Sequence, residues 1–220
     1  MRSRFFVLLF VFACLRISPA EPAAPQPSES FYIVRTGEQF QAPHVLTYRL
    51  LEYEHMRGRW ILADVGYYDF GHVDDQLWFA GAGAEVLHGR HFTWTQELYI
   101  VQETGSAAHN QRTLWVWPIL DLNLTRRLTS QIVMYPTLPL NQSARWALDI
   151  DRAKLEYAFR PHFKAGAGYS ASICSGSQWR NKPFATATLN NRNGSWEVWL
   201  ERMPGGAQLQ LRYLLVRSEH

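Results

Sequence analysis

Residues 160–173 read Arg-Pro-His-Phe-Lys-Ala-Gly-Ala-Gly-Tyr-Ser-Ala-Ser-Ile, and from Phe163 the alternation is unbroken. Phe163, Ala165, Ala167, Tyr169, Ala171 and Ile173 share one face, and Lys164, Gly166, Gly168, Ser170 and Ser172 share the other, because successive strand residues point to opposite sides. A soluble sandwich can alternate in this way. Here, however, the wet face is small and Gly-rich while the oily face mixes Ala with aromatics at its ends. That suits a strand with lipid on one side and a narrow polar lumen on the other.

Working outward, the chain breaks into period-2 runs separated by turn residues, with no sustained helical period. In the run from Gln76 to Leu87, Trp78, Ala80, Ala82, Ala84 and Val86 oppose Gly81, Gly83 and Glu85. The run His91 to Gln102 puts Phe92, Trp94, Leu98 and Ile100 on the oily face and Thr93, Thr95 and Glu97 on the other, with Gln96 as a blemish. Arg112 to Thr125 aligns Leu114, Val116, Pro118, Leu120, Leu122 and Leu124, although a proline cannot donate to a ladder and should be rare in a closed sheet. Leu128 to Leu138 is the weakest run, with Pro136 inside it, and its register is left open. Ser195 to Met203 and Ala207 to Arg217 form a last pair around Pro204-Gly205-Gly206, a hairpin turn composition.

Eleven such runs, with Phe31 to Arg35 as a further first strand, total about twelve, an even number of the kind that bacterial barrels use. With that count, Arg57-Gly58, His88-Gly89-Arg90, Thr125-Arg126-Arg127, Arg160-Pro161-His162 and Asn191 to Gly194 fall at one end. The longer connections near Gly71, Thr104, Pro139 and Ser175 fall at the other, with Pro204-Gly205-Gly206 as a short exception. Short turns at one rim and long loops at the other are an outer-membrane pattern, with both termini periplasmic. The fold class read from the sequence is therefore all-β, a transmembrane antiparallel up-and-down β-barrel of about twelve strands. Ten strands, or a soluble β-sandwich, are the alternatives.

The N-terminus fits that destination. Arg2 and Arg4 precede the apolar run Phe5 to Ala13, and Ser18-Pro19-Ala20 offers a small-residue cleavage site, so residues 1–20 read as a signal peptide. As a spanning helix the run is too short. Lipidation at Cys14 is the competing reading, disfavoured by the bulky Phe12. Residues 21–30, with Pro22, Pro25 and Pro27, read as a flexible leader, and residues 31–220 as the barrel. Removing residues 1–20 takes away Arg2, Arg4 and Arg16 and no acid, so 22 basic residues become 19 against 19 acids and the net charge of +3 falls to zero. No nucleic-acid partner is implied. Cys14 leaves as well, and Cys174 then has no partner for an intrachain disulfide.

With 9 Trp, 10 Tyr and 12 Phe, the chain places Trp60, Trp78, Trp94, Trp196 and Tyr213 at run ends, as the interface girdles of a membrane barrel require. On these features residues 31–217 resemble the small bacterial outer-membrane β-barrel proteins, a resemblance of strand pattern rather than of motif. It implies an outer-membrane location, with lipid and the barrel-assembly machinery as partners and a small solute as the ligand of any open lumen. Families of this kind usually end on an aromatic residue at the close of the last strand, whereas this chain runs past Tyr213 to residues 216–220.

Catalytic sets are sparse. No strand run carries a Ser and a His two residues apart, aimed together as an activated nucleophile would need, and no Gly-x-Ser-x-Gly elbow occurs. His88 and His91 flank a turn and His72 precedes Asp74-Asp75, without a third ligand at metal spacing. The reading is non-enzymatic, without cofactor or metal. What the inner face carries is charge: Glu85, Glu97, Lys164, Glu197, Glu201 and Arg212, joined by Arg152, Lys154 and Glu156. Closure at 204–206 sets Glu197 near Arg212 and Glu201 near Gln208. Buried charges must pair, so this set reads as a cross-linked, largely filled lumen, and otherwise as the lining of a narrow passive pore. In the sandwich alternative, Trp115, Trp117 and Trp199 form a solvent-facing carbohydrate platform.

Overall fold

The computed structural model describes residues 29–41, 45–71, 75–105, 110–203 and 206–218. Signal peptide and most of the leader fall outside these residues. The strands are β1 (Ser30–Gln41), β2 (Val45–Arg57), β3 (Trp60–Phe70), β4 (Asp75–His88), β5 (Phe92–Gly105) and β6 (Gln111–Asn123). They continue with β7 (Leu128–Pro139), β8 (Ala147–Arg160), β9 (Phe163–Cys174), β10 (Arg180–Asn191), β11 (Gly194–Met203) and β12 (Gly206–Ser218). Each pairs antiparallel with its sequence neighbours, and β1 closes on β12 from Phe31↔Ser218 to Gln41↔Gln208. The result is a closed twelve-strand barrel, which removes the ten-strand and sandwich alternatives.

Alternation on β9 is realised as read from Lys164 to Gly168, whereas Ala171, read as outward, is buried and lines an interior cavity. Lys164, Gly166 and Gly168 lie on the face shared with inward Thr188, Thr186 and Phe184 of β10, and Ala165 and Ala167 on the outer face with Ala187 and Ala185. The outer wall is apolar over its middle, with Leu51, Leu62, Val65, Leu98, Ile100, Leu155, Leu189, Val198 and Leu200 exposed. No driving force in water would leave such a band uncovered. Trp60, Trp78 and Trp196 are among the most exposed residues of that wall, Trp60 at 64%. Trp94 is half-buried, opposite Leu87 and Leu120, and Tyr213 packs on Trp196 at 4.4 Å.

Two departures from the sequence reading concern strand extent and pairing. The first strand runs to Gln41, not Arg35. Thr36 and Glu38 interrupt the oily face and hide the continuation, but Arg35, Gly37 and Gln39 keep the inner period. In the β6–β7 ladder, pairing stops after Trp115↔Thr137 and resumes at Ile119↔Val133. Pro118 and Pro136 sit in the unpaired stretches, and neither has an N–H to give. Connections at the N-terminal rim span 58–59, 89–91, 124–127, 161–162 and 192–193. Those at the other rim span 42–44, 71–74, 106–110, 140–146, 175–179 and 204–205.

Candidate functional site in the barrel lumen

Inward alternation brings side chains from every strand into the lumen, and they are of two characters. From β2 to β7 the wall is aromatic. Leu77, Phe79, Tyr99 and Val101 form a buried cluster against Leu50, Tyr68, Phe70, Trp115 and Trp117. Tyr135 of β7 continues it, stacked on Trp117 at 5.0 Å. Trp115 and Trp117 therefore belong to the interior rather than to a solvent-facing platform, as does Trp199, which is 1% exposed. Glycine makes room for the rings. A Cβ on Gly66 would come within 2.0 Å of the Phe79 ring, and one on Gly168 within 2.2 Å of the Phe184 ring.

The second character is ionic. Arg35 of β1 pairs with Glu52, with Glu54 at 2.5 Å, and more distantly with Asp64 at 3.9 Å. Tyr99 Oη donates to Asp64 Oδ2 at 2.7 Å and also lies against Glu97. The carboxylate oxygens of Glu52, Glu54 and Asp64 approach within 4.8 Å of one another, around one guanidinium. Across the lumen, Lys154 bridges Glu156, at 3.1 Å, and Glu197. Thr188 and Thr186 donate to Glu156 at 2.7 and 3.3 Å. Asp151 pairs with Arg212 at 3.4 Å and with Arg152 at 3.0 Å. A break in the β8–β9 ladder between Ile150 and Ala153 lets both Asp151 and Arg152 line the interior.

An aromatic stack supports Arg212. Phe184 and Trp199 lie parallel with centroids 4.3 Å apart, and the Arg212 guanidinium sits 4.0 Å above the Trp199 ring, a cation–π geometry. With its amide oxygen turned towards them, Gln210 accepts from Arg212 at 2.5 and 2.7 Å and from Tyr48. Arg212 is thus held by Asp151, by the Trp199 ring and by Gln210.

Sequence-expected residues distribute as follows. Glu97, Glu197, Glu201 and Arg212 are interior. Glu197 stands opposite Arg212 and Glu201 opposite Gln208 in the β11–β12 ladder. The ion pairs differ from the expected one: Glu197 bonds Lys154 and Arg212 bonds Asp151, because cross-lumen partners reach these groups better than the adjacent strand does. Glu85 is separate, at the short-turn rim with Arg59 at 3.6 Å and His88 at 3.1 Å. Lys164 is half-buried and makes no ion pair among the described residues. Arg35, Glu52, Glu54, Asp64 and Asp151 were not singled out from the sequence. Glu52 and Glu54 carried a signal, since they alternate with Leu51 and Tyr53, but Asp64 and Asp151 adjoin ladder irregularities that shift the phase.

Among the described residues, two cavities between these side chains stand out. The larger, about 260 Å³, is lined by Glu52, Phe79, Tyr99, Trp117, Lys154 and Glu197 among others, and the smaller, about 150 Å³, by Tyr48, Tyr135, Lys182, Trp199 and Glu201. Asp151 and Arg212 line both, so this pair stands between them.

A scan against protein-family models finds no match, and neither does a search of curated protein sequences. Solved structures do match. The KdgM porin in complex with disordered oligogalacturonate aligns over 86% of this chain and 99% of its own, with TM-score 0.59 and 14% identity. The COG4313 outer-membrane channel from Pseudomonas putida F1 aligns over 91% and 100%, with TM-score 0.56 and 12% identity. The NanC porin aligns over 86% and 100%, with TM-score 0.56 and 8% identity. At these identities the likeness is one of fold, and the fold is that of small bacterial outer-membrane β-barrel proteins.

Proposed function

We propose that the mature chain, after loss of residues 1–20, is a non-enzymatic outer-membrane β-barrel with both termini periplasmic, closed across its lumen by its own side chains. The observation that carries this reading is the Arg212–Asp151 pair standing between two small cavities. Lipid contacts the apolar wall, and the barrel-assembly machinery inserts the chain. The aromatic wall facing paired charges also favours a second reading, a narrow passive pore for small solutes. The solved neighbours described as porins and channels support that class.

Planar-bilayer conductance of the refolded protein separates the two. As a closed barrel, the wild type is nearly silent, and Arg212→Gln with Asp151→Asn opens it, because removing both charges dissolves the pair, while Arg152 loses its ion partner Asp151. As a pore, the wild type already conducts and the double variant changes ion selectivity instead. Hydrolysis of phospholipid or lipopolysaccharide acyl chains by the purified protein would reject both.

A further inference from the structure

β6 and β7 hold one register on either side of an interruption, Thr113↔Pro139 to Trp115↔Thr137 and then Ile119↔Val133 to Asn123↔Thr129. Residues 116–118 and 134–136 do not pair across it. The other interrupted ladders among the described residues carry a register shift. This one has none, so no extra residue accounts for it. Its cause is in the sequence: Pro118 and Pro136 remove donors from the opposed stretches. In the unshifted register Val116 stands opposite Pro136, Trp117 opposite Tyr135, and Pro118 opposite Met134.

The interruption lies at mid-height of both strands. Val116, Pro118, Met134 and Pro136 form its outer face, all apolar. Behind it, Trp117 and Tyr135 stack at 5.0 Å, with Trp115 at 5.2 Å from Tyr135 and Tyr99 at 5.5 Å from Trp117. The larger cavity reaches the same place, since Trp117, Ile119 and Val133 line it. Unpaired backbone at membrane depth is tolerated only where protein buries it or a cavity reaches it. A seam that lacks two backbone donors, apolar outside and aromatic inside, stands between the lipid face and that cavity.

We propose that this β6–β7 seam is a lateral portal through which a single apolar chain of a membrane lipid or fatty acid reaches the aromatic wall of the lumen. The occupant comes from the lipid side because the outer face offers it no polar partner. Trp117 and Tyr135 present flat ring surface to a hydrocarbon chain. This rests on the membrane placement given above, but not on whether the lumen conducts.

The test uses protein refolded into phosphatidylcholine vesicles containing a diazirine-bearing fatty acid, with photolabelled residues mapped by mass spectrometry. Val116→Cys with Pro136→Cys, on a Cys174→Ser background, locks the seam when the disulfide is formed and verified by mass. Trp117 and Tyr135 are expected to be labelled in the wild type and in the reduced variant, and to lose that label severalfold on oxidation. Outward Leu120 and Leu122 stay labelled throughout. Pro118→Val with Pro136→Val, which restores both donors, is expected to lower inner labelling without any cross-link. Label on Leu120 and Leu122 but none on Trp117 or Tyr135 overturns the portal, as does inner labelling indifferent to the disulfide. Absence of label from Leu120 and Leu122 as well overturns the membrane placement itself.

Discussion

Gly168 shows how much a missing Cβ does in this lumen. It lies under the Phe184 ring, which stacks on Trp199, which in turn carries Arg212. Phe184 is 4% exposed and clamped by Trp199, so the ring cannot swing away cheaply. Gly168→Ala should therefore destabilise the barrel by about 1–3 kcal/mol, the usual range for overpacking, in equilibrium urea unfolding from detergent. Gly37 is the control. A Cβ there meets only ordinary contacts, the nearest at 3.6 Å, and Gly37→Ala should stay within about 0.5 kcal/mol. Equal costs at the two positions would remove the stack as the reason for Gly168. The period-2 pattern placed Gly166 and Gly168 on the inner face correctly. It could not say that a ring from the next strand needs the space, because that contact depends on β9–β10 register.

At the scale of elements, the strands legible in the sequence are those whose oily face is uninterrupted, such as β4, β9 and β12. Those misjudged carry polar residues outward or prolines within. β1 looked five residues long because Thr36 and Glu38 face out, and β7 had no defensible register because Pro136 masks its alternation. Hairpin order also sets topology. Cys174 ends β9 at the rim of the longer connections and is exposed, whereas Gly58 and Gly89 lie in the short turns of the opposite rim. If the termini are periplasmic, an impermeant maleimide should label Cys174 on intact cells. Cysteine placed at Gly58 or Gly89 on a Cys174→Ser background should be labelled only after the outer membrane is permeabilised. Labelling at both rims of intact cells would contradict the proposed orientation.

Closure is a property of the whole molecule. Every strand has two neighbours because β1 meets β12 over eleven register pairs, so no edge remains to fray or to recruit another chain. A ring of this kind should stay folded in dodecyl sulfate until heated, and unboiled and boiled samples should migrate differently on electrophoresis. A β-rich monomer soluble without detergent and showing no shift would refute the membrane barrel. The sequence by itself determined the strand class, a count of about twelve and the inward or outward sense of most side chains. Each follows from local alternation and from where turn residues interrupt it. The closed ladder then excluded ten strands. The tertiary structure alone decided which charges meet. Glu197 was legible as inward, but its bond to Lys154, 43 residues back along the chain, and that of Arg212 to Asp151, depend on which strands face each other across the closed barrel and on a break in the β8–β9 ladder. Period-2 reading resolves the side a residue faces, not the curvature that sets its opposite number.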